Sequence, residues 1–158
     1  MKIARCQAIP LNVEMTLDAA GVSRRTNLSC VLVRLDTADG LTGTGFTAIT
    51  EEEVVAAAVN EVAAHTVVGM DAMDHERIWE RLRWLMSSRG QSGYGMHAIA
   101  AIDLAVWDLK ARALGLPLWR LLGGARDRVP VYATFGFGFF DDAQLVDAAR
   151  EWAGRGFS

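Results

Sequence analysis

The stretch Ala98-Ile99-Ala100-Ala101-Ile102-Asp103-Leu104-Ala105-Val106-Trp107-Asp108-Leu109-Lys110-Ala111-Arg112, continuing through Ala113-Leu114-Gly115-Leu116-Pro117-Leu118-Trp119-Arg120-Leu121-Leu122-Gly123-Gly124, decides how this chain folds. From Ala98 to Leu109 it is apolar almost all round, broken only by Asp103 and Asp108. A helix of that kind is buried on most sides. The small residues Ala98, Ala100, Ala101 and Ala105 let neighbours pack closely. The helix is predicted from His97 to Leu114. Gly115 ends it, Pro117 opens a short helix, and Gly123-Gly124 closes that one.

Two amphipathic helices are predicted before it. Thr50-Glu51-Glu52-Glu53 reads as a capping box whose acidic residues complement the helix dipole. Val55, Val59 and Val62 form the apolar stripe, and Gly69 lies just past the end. Asp71 or Asp74 can cap the second helix, in which Ile78, Leu82 and Leu85 recur at i, i+4 and i+7. Arg77, Arg81 and Arg83 form its solvated face, and Trp79 and Trp84 are expected to pack. The breaker-rich run Ser88–Gly95 separates this helix from the buried one.

The first 49 residues read as strands. Lys2–Leu11 is the first. Asn27–Asp36 is the second, with Val31, Val33 and Leu35 on one face and Arg34 and Asp36 on the other. Ala38-Asp39-Gly40 makes a turn. Leu41–Thr47 returns as a third strand, where Gly43 and Gly45 leave room for close backbone approach. The product is a three-stranded antiparallel meander. Its first connection, Asn12–Thr26, is expected as a long loop, and long ordered loops are commonly functional.

After Gly124 the pattern changes. Val129–Phe135 is a short apolar strand. Asp141 or Asp142 caps a helix whose Leu145, Ala149 and Trp152 face one way, Gly154 and Gly156 end it, and Phe157-Ser158 looks like entry to another strand. Strand, helix, strand is the unit of a parallel α/β sheet or barrel. One such unit has no parallel neighbour, so the architecture is expected to be cut off in mid-repeat. Arg126-Asp127-Arg128 marks the boundary between residues 1–125 and 126–158.

Composition narrows the function. The chain has 158 residues, 51% hydrophobic, enough for one sizeable core. A formal charge of -3 leaves no basic footprint for nucleic acid and no polybasic patch for a membrane. No apolar run reaches the ~20 residues of a membrane span. The charged N-terminus does not read as a signal peptide, so a cytoplasmic location is expected. Cys6 and Cys30 lack metal-ligand spacing and read as small buried residues.

The long quoted stretch resembles the N-terminal signature of the mandelate racemase and muconate-lactonizing family of the enolase superfamily. The matched features are the small-residue run, Asp103, Ala105, Trp107-Asp108, Ala111-Arg112, Pro117-Leu118 and Leu121-Leu122-Gly123. Val106 stands where the family more usually has Leu or Ala. The resemblance covers essentially the whole chain. It implies an α+β fold: a three-stranded antiparallel meander and a helical bundle forming an enolase N-terminal-like capping domain, then the first β/α unit of a truncated TIM-type barrel. It also implies a Mg²⁺ enzyme that removes the proton beside a substrate carboxylate, with the metal charge stabilising the resulting anion. Dehydration of an acid sugar is favoured over racemisation or cycloisomerisation, because His97 followed by the small-residue helix resembles the mandelate-racemase-like branch. The implied Mg²⁺ ligands and catalytic bases lie beyond Ser158, so no catalytic or metal residue is assigned in this segment. The implied partners are a small carboxylate substrate, the remainder of the barrel and further copies in a homo-oligomer.

Individual residues divide between architecture and function. Asp103 and Asp108 lie five apart, roughly 140° round a helix, and do not converge on one ion. Asp108 and Arg112 are spaced to pair at i, i+4. His65, His75 and His97 share no metal-binding spacing. The resemblance implies that Asn12–Thr26 and Phe46–Thr50 fold over the barrel mouth and select the substrate. Arg24 or Arg25 is suited to a carboxylate, since guanidinium binds it bidentately. Phe46 stands where the family often has Glu, and Thr47 follows it. Thr134 and Phe135 sit at the end of the first barrel strand, the end that faces the active site in such barrels. The substrate-binding candidates are therefore Arg24, Phe46, Thr47, Thr134 and Phe135. The rival reading is a non-catalytic stand-alone capping or interaction module, which would dock a partner through the exposed first barrel strand.

Overall fold

A computed structural model describes residues 1–19, 21–88 and 90–157. Ala20, in the expected long loop, Arg89, in the breaker-rich run, and Ser158, in the expected strand entry, lie outside the described residues. The chain forms two compact units. One comprises Met1–Val13 with Leu28–Gly124, and the other combines Glu14–Asn27 with the chain from Ala125 onward.

Three strands, β1 (Ile3–Ala19), β2 (Val22–Thr37) and β3 (Thr42–Ala48), form one sheet in the order β1-β2-β3. β2 and β3 pair antiparallel from Asp36 opposite Thr42 to Cys30 opposite Ala48. The turn between them uses Gly40 at φ +90°, a conformation that a side chain disfavours. The inner face of β2 alternates as read, with Val31, Val33 and Leu35 fully buried.

Most of the connection expected as a loop over 12–26 is instead strand, with β1 running on to Ala19 and β2 starting at Val22. The sign was present: Val13, Met15 and Leu17 alternate with Asn12, Glu14, Thr16 and Asp18, a period of two. Met15 and Leu17 are half-buried while Glu14, Thr16 and Asp18 are exposed. Gly21, at φ +75°, stands where β2 is about to begin.

Helices follow as α1 (Glu52–Ala57), a π-helical turn (Ala58–Ala63), α2 (Ala64–Val67), α3 (His75–Leu85), α4 (Tyr94–Ala113) and α5 (Leu118–Leu121). The wide turn has a visible use. It presents Asn60, whose Oδ1 accepts from the Ala8 N–H at 2.8 Å and whose Nδ2 donates to the Ala8 carbonyl at 3.0 Å. Asn60 thus satisfies the backbone of Ala8 as a neighbouring strand would. Val55, Val59, Val67, Ile78, Leu82, Ile99, Ile102 and Leu109 share one core with the inner face of the sheet.

Glycine in β3 sets how closely α4 approaches. A Cβ on Gly45 would lie 2.6 Å from the Ala105 backbone nitrogen, and one on Gly43 would lie 2.8 Å from that of Leu109. No side chain fits there. The strand backbone rests directly on α4, where Ala98, Ala101 and Ala105 are fully buried. Small residues on both partners are one device, divided between two distant parts of the sequence.

Several expectations are corrected. The N-cap of α1 is Glu51 rather than Thr50, with no side-chain capping bond, because Thr50 and Glu52 face Ser29 through the Thr50 carbonyl and the Glu52 carboxylate. Val62 and Leu85 are exposed, although each falls in register with a buried stripe. The π-helical turn rotates the helix away from a strict 3.6 period at Val62, and Leu85 is the last residue of α3. Trp84 does not pack: it is 73% exposed. Helix α4 is buried on the side facing β3 and the other helices, while Ala100 and Leu104 are exposed. Lys110, of a residue type rarely buried, is buried.

In the second unit, Val129–Phe135 runs without a ladder partner among the described residues, so it is not a strand. Val129, Val131 and Tyr132 are exposed. Helix α6 (Asp142–Gly154) begins with a complete capping box. Asp141 Oδ1 accepts from the Gln144 N–H, and Gln144 Oε1 accepts from the Asp141 N–H. Its buried residue is Ala148, and Ala149 is exposed.

Candidate functional site

The segment after β3 is tied at both ends. The Ile49 N–H donates to the Ser29 carbonyl at 2.9 Å. The Ser29 hydroxyl sits between two acceptors, the Thr50 carbonyl and the Glu52 carboxylate. Asn12 Nδ2 donates to the other Glu52 oxygen at 2.7 Å. The Ser29 hydrogen bond, then that from Asn12, holds the Glu52 carboxyl below its ordinary range. Sequence reading missed this cluster, since Glu52 looked like a capping residue and Ser29 carried no motif.

Between these ties, Ile49 adopts φ +57° and is 86% exposed. A β-branched residue in the left-handed region is strained, and here its side chain finds no core. Phe46 is 47% exposed. Thr47 Oγ1 hydrogen-bonds His97 Nδ1 at 2.7 Å, which fixes Thr47 to the start of α4. Phe46, Thr47 and Ile49 therefore form a short rim carried by β3, with Thr47 anchored and Phe46 and Ile49 outward.

The second unit brings together other candidates. Thr134 and Phe135 line a cavity of about 80 Å³ with Leu17, Asp18, Phe137, Phe140 and Trp152. Phe137 stacks on Phe139 at 5.6 Å, and Phe139 on Phe140 at 4.9 Å. The Arg24 guanidinium lies over the Phe139 ring, 4.8 Å from its centroid. Arg25 instead reaches Glu14 at 3.4 Å. The hairpin end thus supplies a guanidinium held against an aromatic ring of the same unit. Phe46 and Thr47 belong to the first unit; Arg24, Thr134 and Phe135 belong to the second.

The two carboxylates of α4 have separate uses. Asp108 Oδ2 accepts from the Thr44 N–H at 2.8 Å, from the Thr44 hydroxyl at 3.2 Å and from Arg112 Nε at 2.9 Å. It joins β3 to α4. Asp103 is half-buried, and burial raises its carboxyl above the usual range. Beside it, Lys110 Nζ lies 2.8 Å from His75 Nδ1 and 4.6 Å from the Trp107 ring centroid. An ammonium only donates, so His75 Nδ1 is the acceptor and the ring is neutral. Its proton is then on Nε2, 3.3 Å from Glu76 Oε1.

Among the described residues no three His, Cys, Asp or Glu side chains gather to hold a metal ion. Asp108 already accepts from three donors, and Asp103 lies roughly 140° round the helix from it. A hard divalent cation needs converging ionised oxygens, so these residues do not fit a magnesium site. No helix among the described residues is long and apolar enough to cross a membrane.

Comparison with known proteins agrees with this architecture. The family model for the mandelate racemase / muconate lactonizing enzyme N-terminal domain matches residues 7–123. The 3,6-anhydro-alpha-L-galactonate cycloisomerase of Streptomyces coelicolor is 36% identical over 127 residues, covering 79% of this chain and 35% of that protein. The L-talarate/galactarate dehydratase of Salmonella typhimurium is 36% identical over 113 residues, covering 70% of this chain and 28% of that protein. A racemase from Streptomyces coelicolor A3(2), solved with bound magnesium, superposes with a TM-score of 0.85 at 30% identity, over 98% of this chain and 44% of that one. The chain thus spans about a third of the length of these curated relatives.

Proposed function

This chain belongs to the mandelate racemase / muconate lactonizing enzyme family through its N-terminal domain, and from that premise we propose that it is the substrate-capping part of an acid-sugar lyase or isomerase. The whole protein removes the proton on the carbon beside a substrate carboxylate. Dehydration is the favoured outcome, with racemisation or cycloisomerisation as the other members of the class. The observation that supports this most directly is the alignment with a dehydratase and a cycloisomerase whose names both specify sugar acids. Magnesium is proposed for the whole protein, on the strength of the magnesium-bound racemase. It would supply positive charge against the substrate carboxylate. We place its ligands in the remainder of the whole protein, which gives this segment the role of binding and exclusion of water.

The residues proposed to meet the substrate are Arg24, Phe46, Thr47, Thr134 and Phe135. Arg24 offers a guanidinium to a carboxylate, and its place over Phe139 limits its rotamers before the substrate arrives. Phe46 supplies an apolar wall, and the anchor to His97 orients Thr47. The remaining proposals are residues 1–125 as the cap with 126–158 opening a barrel, a cytoplasmic location, homo-oligomerisation, and inactivity of these 158 residues alone.

The test is exchange of the proton beside the carboxylate. The gene product is incubated in D₂O with Mg²⁺ and aldonic or aldaric acids, including galactarate, and followed by proton NMR. Loss of that signal in the whole protein, and its persistence with residues 1–158 alone, is the expected result. Turnover by the 158-residue chain alone would overturn the proposed division of labour. Absence of exchange across all acids tried would overturn the proposed chemistry. The reading of a stand-alone interaction module has no specific structural observation in its favour.

A further inference from the structure

Helix α6 carries a buried polar group with nothing to bond to. The Trp152 indole N–H is enclosed and has no hydrogen-bond partner among the described residues. Burying a donor without an acceptor costs free energy, and native structures rarely leave one so. The ring itself is held in place. The Phe157 ring stands perpendicular to it with centroids 5.2 Å apart, and the Arg155 guanidinium lies 4.8 Å from its centroid. Trp152 lines the cavity of about 80 Å³ in the second unit, where Leu17, Phe135, Phe137 and Phe140 make the wall apolar. The other polar residues lining it are Asp18 and Thr134, and both are exposed. Among the described residues that line it, Asp18 is the one with a charge. The cavity thus pairs a buried donor with an open acceptor, in apolar surroundings that strengthen hydrogen bonds.

We propose that this cavity is the subsite for a terminal hydroxyl of the substrate, where Trp152 and Asp18 select acids ending in a hydroxymethyl group over acids ending in a second carboxylate. The inference rests on the sugar-acid reading above and narrows it to aldonic acids. The volume equals about two or three waters at roughly 30 Å³ each, too little for a whole six-carbon acid and enough for its far end. A hydroxyl accepts one hydrogen bond and donates another, so it satisfies the Trp152 N–H and the Asp18 carboxylate together. A carboxylate accepts from Trp152 but has no proton to give Asp18, and it sets like charges against each other. Rejection of the wrong acid comes from that repulsion. Selection of the right one comes from a buried donor that its hydroxyl satisfies.

The experiment follows the Trp152 indole N–H of the whole protein by NMR with nitrogen-labelled tryptophan, Trp152→Phe assigning the signal. D-Galactonate and galactarate are the probes, because they differ only at the far carbon. Galactonate should move the signal, and galactarate at the same concentration should not. In steady-state kinetics, Trp152→Phe should lower kcat/KM for galactonate about tenfold, the scale of one hydrogen bond. It should leave unchanged the analogue with a terminal methyl in place of the hydroxymethyl, whereas a purely structural tryptophan would lower both alike. Asp18→Asn should raise kcat/KM for galactarate relative to galactonate by roughly tenfold. Circular dichroism confirms that each variant is folded. A Trp152 signal that ignores galactonate overturns the subsite, whether or not any acid turns over. So does a signal that galactarate moves equally, an equal loss on galactonate and its terminal-methyl analogue, or an unchanged ratio in Asp18→Asn. If no acid exchanges its proton while the Trp152 signal still answers galactonate alone, the subsite stands and the proposed chemistry falls.

Discussion

The Thr44 backbone N–H donates to Asp108 Oδ2 at 2.8 Å, across 64 residues of sequence. That carboxylate also takes the Thr44 hydroxyl and Arg112 Nε, so one side chain fastens the last strand of the sheet to the central helix. Asp108→Ala strands the Thr44 N–H and releases Arg112. The expected cost is about 2 kcal/mol, the usual scale for hydrogen bonds to a charged group. Urea unfolding measures it. A change too small to resolve would remove Asp108 from the architecture and reopen a functional role for it.

Gly45→Ala places a methyl group against α4 backbone where no flexible side chain is available to move. The strand must lift from the helix, costing about 3 kcal/mol, at the upper end for overpacking. Gly138→Ala serves as control, because a Cβ there meets nothing within 4 Å. Paired melting curves for the two variants check this.

Lys110 is buried, and its ammonium donates to His75 while lying over Trp107. Lys110→Met keeps most of the aliphatic stem and should cost about 1 kcal/mol; Lys110→Ala also leaves a cavity and should cost about 3 kcal/mol. The nitrogen chemical shifts of His75 should show the proton on Nε2. A proton on Nδ1 would contradict the donor assignment.

The pH dependence contains two opposite contributions. Asp103 binds its proton more tightly when folded, because burial disfavours its charge. Its contribution is greatest in acid and declines as pH rises from the unfolded carboxylate value of about 4. Asp103→Asn should therefore be at least as stable as the parent at pH 7. Asp36, Glu52 and Asp71 are shifted the other way, by the Thr42 hydroxyl, the Ser29 hydroxyl and the Met73 N–H respectively. Their contributions hold above the unfolded value and vanish as pH falls through the folded one. Ser29→Ala should flatten the acid limb of a stability–pH profile, while Asp103→Asn should steepen it.

Burial pushes the Cys6 thiol up to about 12. The thiolate is the reactive form, so Cys6 should resist alkylation in the folded protein at neutral pH. Cys30 is also buried. Labelling followed by mass spectrometry should show both thiols protected, and both reactive in denaturant. Rapid native labelling of Cys6 would mean that β1 opens readily.

Much of the first unit was legible in the chain. The period-two run of Val31, Val33 and Leu35, the two β3 glycines and the small residues of the 98–105 helix all correspond to observed contacts. The continuation of β1 past Leu11 was legible too, in the alternation of Val13, Met15 and Leu17, although the length between the two hydrophobic runs reads as a loop. Less of the candidate site was legible. Ser29, Asn12 and Glu52 meet across 40 residues, and no local pattern marks such a junction. Nothing in the letters around Ile49 announces a positive φ. The dihedral follows from the bonds that fix the chain on either side.

The sequence by itself determined most elements of the first unit and the buried face of β2, because hydrophobic period and turn chemistry act within a few residues. It determined that Asp103 and Asp108 diverge, because five positions on a helix set that angle. Only the tertiary structure decided what each carboxylate meets. Asp108 became a clasp because β3 comes close enough to present Thr44, and Gly43 and Gly45 permit that approach. Lys110 became interior because His75 and Trp107 give its ammonium an acceptor and a π-face away from water. Such outcomes depend on groups tens of residues apart, and the free energy of a polar side chain is set by the neighbours that replace its water.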